Sequence, residues 1–207
     1  MYFKGFQFFF LIFSSALFSQ VQDSAALISE VQIDAYRKPT KLLTATKSVS
    51  VVSPNFLSQN APERLLESVN LLPGSEMEER SPGSYRFSIR GSTLRSPFGV
   101  RNVKVYLDDF SLTDASGNTY LNILDPEILT SIEIYKGPES GDFGAVTGGT
   151  ALLKTKNGEE QNFGISAGSF SHYKGKIHFA KELKKHFLQV YTSYETTDSY
   201  RDHAALQ

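Results

Sequence analysis

Four histidines, no cysteine and a scattering of carboxylates are the raw material for chemistry in this chain of 207 residues. His172, His178, His186 and His203 all lie beyond residue 170, and none belongs to an HExxH pair. The lack of cysteine excludes thiol nucleophiles, CxxC redox chemistry, disulfide frameworks and thiolate zinc sites. Asp108 and Asp109 offer a carboxylate pair, but neighbours at a strand end point to opposite sides and do not share a substrate. A turn suits them better, and with Asp114 they lack the spacing of a calcium loop. The densest glycine cluster, from Gly137 through Gly141 and Gly144 to Gly149, invites a phosphate-cradle reading. Neither the P-loop pattern nor GxGxxG occurs there, so tight turns and close backbone approach to a surrounding wall are the expectation. Residues 48 to 156 hold no histidine, which leaves no Ser/His/Asp arrangement. No catalytic residue, metal site or cofactor is expected.

The elements that must position these residues come in three stretches. At the start, seven of the sixteen phenylalanines fall within the first 18 residues, and Lys4 is the only charge before Asp23. An apolar run from Phe6 to Phe18 falls short of the ~20 residues of a spanning helix and suits a cleaved secretory signal. A polar leader follows, in which Val31 and Ile33 alternate with Gln32 and Asp34. That alternation suits a strand seeking an edge, or a chance pattern in a disordered leader. With 21 Lys+Arg against 22 Asp+Glu, no basic excess exists for a nucleic-acid partner.

From Ser48 the pattern is that of a small α/β or α+β domain. Residues 48 to 52 read as a strand ended by Pro54. Asn60, Ala61, Pro62 and Glu63 read as a helix start, with Leu65, Leu66, Val69 and Leu72 at helical spacing and Pro73-Gly74 as the stop. Residues 86 to 90, 103 to 107, 131 to 136 and 150 to 155 read as strands, with Asp125-Pro126-Glu127 capping a short helix near 126 to 130. After Asn157-Gly158 the period becomes a strict two. Phe163, Ile165 and Ala167, then Ile177 and Phe179, then Leu188, Val190 and Thr192 alternate with polar or small residues. Three such strands suit the start of a transmembrane β-barrel, with one face apolar and the other polar, and a soluble meander would share the pattern. Three cannot close one, so the chain is expected to be truncated.

Five blocks, in order, resemble the plug of TonB-dependent outer-membrane receptors of the siderophore-receptor type. They are Ser48 to Ser53, Leu65 to Gly74, Phe87-Ser88-Ile89-Arg90-Gly91, Val105 to Leu112, and Ile132-Glu133-Ile134-Tyr135-Lys136-Gly137-Pro138-Glu139-Ser140-Gly141-Asp142-Phe143-Gly144. Tyr200-Arg201-Asp202-His203 is similar to the early barrel of the same family. Asp109 stands where glycine is usual and Lys136 where arginine is usual; a lysine there is a point charge rather than a planar fork.

The resemblance implies a signal peptide at 1–19, a flexible leader at 20–47, a plug at 48–156 and the first barrel strands at 157–207. It implies a barrel of about 22 strands around the plug, set in outer-membrane lipid. It implies active import of a ferric siderophore or a similar scarce iron complex, driven through TonB. Glu30, Val31, Gln32 and Ile33 sit where the family's TonB box sits, and TonB would add to them as a strand. Arg90, Glu133 and Lys136 are expected to lock the plug, pairing with one another or with carboxylates on the wall. Arg95, Phe98, Arg101, Asn118 and Tyr120 are expected on ligand-facing loops, and Gly91, Gly137 and Gly144 at turns. Only about 30 residues lie between the expected cleavage site and the plug, too few for a signalling domain. Cobalamin or another nutrient, a plug-only periplasmic binding module, and a small periplasmic enzyme are the other readings.

Overall fold

The computed structural model describes residues 32–33, 40–60, 65–81, 84–92, 99–138 and 140–198. Glu30, Val31, Arg95, Phe98 and residues 200 to 203 lie outside the described residues.

A five-stranded mixed sheet forms the frame. Its order is β3 (Val49–Val52), β8 (Leu129–Lys136), β9 (Gly149–Thr155), β6 (Val103–Leu107) and β7 (Phe110–Ser111). β6 and β9 run parallel and every other pair antiparallel. β8 and β9 are central, and their sequences carry apolar residues on both faces, as a doubly covered strand requires. Ile132, Ile134, Ala151 and Leu153 face the main core; Tyr135 and Leu152 face a smaller cluster on the other side with Phe143.

The main core is closed by α1 (Pro54–Asn60), α2 (Leu65–Asn70) and a hairpin of β4 (Ser75–Ser81) and β5 (Ser84–Ile89). Leu65, Val69, Met77, Phe87 and Ile89 are each under a tenth exposed, and full burial of such side chains stabilises by about 1.5–3 kcal/mol apiece. Pro54 does not merely end a strand. It occupies the first turn of α1, where its missing N–H costs nothing, while the Ser53 hydroxyl accepts from Phe56 N at 3.3 Å. Asn60 is the last residue of that helix, and the expected helix start at residues 61 to 63 lies outside the described residues.

Asp125 caps as its type suggests, accepting from Glu127 N at 3.0 Å, but the helix it starts is one 3-10 turn, Pro126–Ile128. β8 begins at the very next residue. Asp108 and Asp109 form the two-residue turn between β6 and β7, with Asp108 at φ +53° and its carboxylate accepting from Thr155 N and Oγ1.

β10 (Glu160–Gly168), β11 (His172–Leu183) and β12 (His186–Thr196) make a separate antiparallel sheet. Their 9, 12 and 11 residues match the 9–11 or so that a tilted strand needs to cross a bilayer. Register puts Phe163, Ile165, Ile177, Phe179, Val190 and Tyr194 on one face, all exposed. Lys174, Lys176, His178, Tyr191 and Glu195 share the other. In the leader, β1 (Gln32–Ile33) pairs with β2 (Thr40–Lys41), and Ile33 is 2% exposed. Of the two readings of this alternation, the strand is the one seen at Gln32 and Ile33, and its partner lies within the leader itself.

Candidate functional site

The loop cluster at the start of β6 is built from hydrogen bonds. Thr119 N donates to Val100 O at 2.9 Å, and the Thr113 and Thr119 hydroxyls meet at 2.7 Å. Between them the Asp114 carboxylate accepts from Asn118 N at 2.9 Å and from the Ser116 hydroxyl at 2.7 Å. The Ser116 hydroxyl, then Asn118 N–H, hold the Asp114 carboxyl below the usual carboxylate range. Arg101 Nε donates to Asn118 Oδ1 at 2.6 Å, which brings two of the expected ligand-facing residues together. Tyr120 stands 58% exposed beside them. A guanidinium from the segment before β6 and a carboxamide and a phenol from the loop after β7 thus lie close together.

Gly91, Gly137 and Gly144 all adopt positive φ, at +72°, +116° and +74°, so each makes a turn that L side chains resist. Gly149 is the tightest position. At φ +147° a Cβ there would stand 2.3 Å from Tyr135 O. At Gly149 the close approach is between strands of one sheet.

The three expected locking charges do not share one site. Arg90 donates to Ser48 Oγ at 2.9 Å and lies over Gly137. Glu133 is 5% exposed and accepts from the Tyr135 hydroxyl, two residues along its own strand, at 2.8 Å. Lys136 has its pKa lowered by burial and then by Arg90, so two cations stand side by side. Arg90 and Gly91 also rim an open cleft of about 610 Å³ that the start of β4 lines from Gly74 to Glu78. On the opposite sheet face Lys47 bonds Asp142 at 2.5 Å and sits about 6 Å from the rings of Tyr135 and Phe143.

Among the described residues, other charges join the sheet to β11 and β12. Lys174 Nζ lies 2.8 Å from Asp125 Oδ2 and 3.2 Å from Glu127 Oε1. Lys176 bonds Glu127, and the Tyr191 hydroxyl donates to Asp125 Oδ2 at 2.6 Å. Burial raises the pKa of Asp125, but bonds from Lys174 and Tyr191 outweigh it and leave the carboxyl below its ordinary value. The network continues along the wall, where His178 Nδ1 lies 3.3 Å from Glu160 and His172 Nε2 3.0 Å from Glu195. Sequence reasoning missed Asp125, Glu127, Lys174, Lys176 and Tyr191 as a site. The signal was present in the alternation: lysines on the inward register of a strand need carboxylates opposite, and Asp125-Pro126-Glu127 supplies two.

The family model of the TonB-dependent receptor plug domain matches residues 41–151, more than half of the chain. The chain belongs to this family. Solved structures agree on the plug and the adjoining strands. The chain is similar to the Pseudomonas aeruginosa receptor FpvA, solved with heterologous ferric pyoverdines, at 18% identity and a TM-score of 0.64 over 83% of this chain and 23% of that one. It is similar to the ferric yersiniabactin uptake receptor FyuA of Yersinia pestis at 21% identity and 0.54, over 73% of this chain and 24% of that one. The Serratia marcescens hemophore receptor HasR, solved with the hemophore HasA and heme, matches at 19% and 0.56 over 74% and 25%. At these identities the likeness is one of fold. The chain spans about a quarter of the length of these receptors.

Proposed function

We propose that this chain is the plug and first wall strands of an outer-membrane importer that draws a ferric siderophore or a similar scarce iron complex into the periplasm. One observation carries the reading. A family plug sheet is joined by buried charges to the polar face of three long strands whose other face is apolar and exposed. That pairing suits a protein standing in lipid with its plug inside, and it weighs against a plug-only module in water. The signal segment at 1–19, leader at 20–47, plug at 48–156 and wall from 157 onward are the division this function needs. TonB is the proposed energy-coupling partner, binding the leader at Glu30, Val31, Gln32 and Ile33. Arg95, Phe98, Arg101, Asn118 and Tyr120 are the proposed ligand-facing residues, with Arg90, Glu133 and Lys136 steadying the plug from within. Iron supports the ligand class because the similar receptors were solved with, or named for, ferric siderophores and heme. Cells carrying the full-length receptor as their sole importer should accumulate radioactive iron from one siderophore class, and a protonophore should stop it. Uptake of cobalamin but of no iron complex overturns the ligand class; uptake that ignores the protonophore overturns the importer.

A further inference from the structure

Gly148 lies in a corner where a Cβ would stand 2.6 Å from Ser92 Oγ and 2.7 Å from Asn102 O. Three segments meet there: the end of β5, the start of β6 and the approach to β9. Ile89 N donates to Ser92 Oγ at 3.2 Å, and Asn102 Nδ2 donates to Ser92 O. Gly148 N donates to Asn102 O at 2.9 Å, and Gly137 N to Gly148 O at 3.1 Å. Asn102 thus spends its side chain on one segment and its carbonyl on another.

The residue before it is Arg101, which is exposed and donates to Asn118 Oδ1 at 2.6 Å. Val100 and Val103 flank the pair and are buried, at 1% and 0% exposure. An exposed arginine is rich in rotamers, so a fixed guanidinium needs both a partner and a fixed backbone. Asn118 is the partner. Asn102 holds the backbone, by a bond that its residue type dictates. A carbonyl only accepts, so the carboxamide meets Ser92 O with its nitrogen, and an aspartate would set oxygen against oxygen.

We propose that Asn102 is a positioning residue for ligand recognition. Its bond to Ser92 O, with Gly148 packed against it, sets the backbone from which Arg101 presents paired donors to an anionic ligand group. That Arg101 meets a ligand rests on the importer reading; the staple does not.

A nitroxide on Arg101→Cys, in a full-length receptor otherwise free of cysteine, reads the staple directly. One on Asp109→Cys, exposed at the β6–β7 turn, is the control. Asn102→Asp should mobilise the label at residue 101 and leave that at residue 109 as it was. Ser92→Ala should leave both in place, because the bond goes to the Ser92 carbonyl. Equal motion at both labels means that Asn102 only holds the domain together, and overturns the proposal. So does a label at residue 101 that stays still in Asn102→Asp, or moves as much in Ser92→Ala. If the aspartate variant does not assemble, Asn102→Ala, which adds no charge, takes its place.

Uptake of a radioactive ferric siderophore then asks whether Asn102 acts through Arg101. Arg101→Ala and Asn102→Asp should each raise the half-saturating concentration about tenfold, the size of one bond to a charged group, at an unchanged maximal rate. The double variant should match Arg101→Ala alone, and effects that add overturn the proposal. Labels that behave as expected in a receptor that ignores Arg101→Ala, or that imports no iron, refute the ligand-facing reading alone.

Discussion

Asp125 spends one carboxylate oxygen on its own turn and the other on the wall, so its protonation reports on both at once. Its folded pKa lies below the ordinary 3.8, so the ionised form is the one the fold favours. The stability it supplies is complete above that ordinary value and drains as pH falls through the lower folded one. Asp125→Asn should therefore destabilise the plug–wall contact by on the order of 2 kcal/mol at neutral pH, the scale of a lost charge-assisted bond. The gap between wild type and variant should stay level from pH 8 to about pH 5 and narrow below about pH 4. Proteolysis of the plug in the full-length receptor, followed across that range, measures it. A gap that widens in acid would mean the carboxyl is held protonated, and the sign of the argument would be wrong. Lys136 shows the opposite case. Burial and Arg90 lower its pKa, so the protonated form weakens the fold at neutral pH, and this residue alone does not explain what keeps the plug in place.

Between elements, one side chain stands out because it does the work of a ladder. Asn70, the last residue of α2, donates from Nδ2 to Met77 O at 2.9 Å and accepts at Oδ1 from Met77 N at 2.7 Å. That amide mimics a strand neighbour for β4, which among the described residues pairs with β5 alone. Asn70→Ala leaves both backbone groups of a residue that is 2% exposed without this partner, a loss of about 1–3 kcal/mol for each unsatisfied group. Asn70→Asp keeps the acceptor and loses the donor, so thermal unfolding of the plug should rank wild type, aspartate, then alanine. The same amide explains what sequence could show. β5, β6 and the three long strands were legible because apolar residues alternate along them, and β8 and β9 because their apolar residues run on both faces. β4 reads Ser-Glu-Met-Glu-Glu-Arg-Ser, with Met77 its only apolar residue, and it is a strand because Asn70 and β5 make it one. α1 was hidden by Pro54, which marks a first turn as readily as a strand end. The plug–wall site was hidden for another reason: its carboxylates and its lysines lie some fifty residues apart, and only the folded register brings them face to face.

At the scale of the whole molecule, the question is how a pull on the leader reaches the plug. Gln32 and Ile33 pair with Lys41 and Thr40, and Ile33 is buried, so these two residues of the proposed TonB segment hold a strand partner within the leader. This pairing and TonB addition both use the backbone of these residues, and the two states compete for it. Ile33→Ala and Ile33→Pro separate the contributions. Alanine removes the packing that holds the paired form, a loss of about 2–5 kcal/mol for a buried isoleucine, but leaves every backbone donor in place. Energised uptake should persist in that variant, and the leader should become more accessible to protease. Proline also removes a donor and fixes φ, which interrupts any ladder at that residue, with TonB or with β2. Uptake should then drop to the level of a cell lacking TonB, while ligand binding at the surface is retained. If proline at residue 33 leaves uptake at the wild-type rate, strand addition at Ile33 is not how force enters the molecule. If alanine abolishes uptake as fully as proline, the isoleucine side chain itself is what the partner reads, and the coupling is side-chain recognition rather than a backbone ladder.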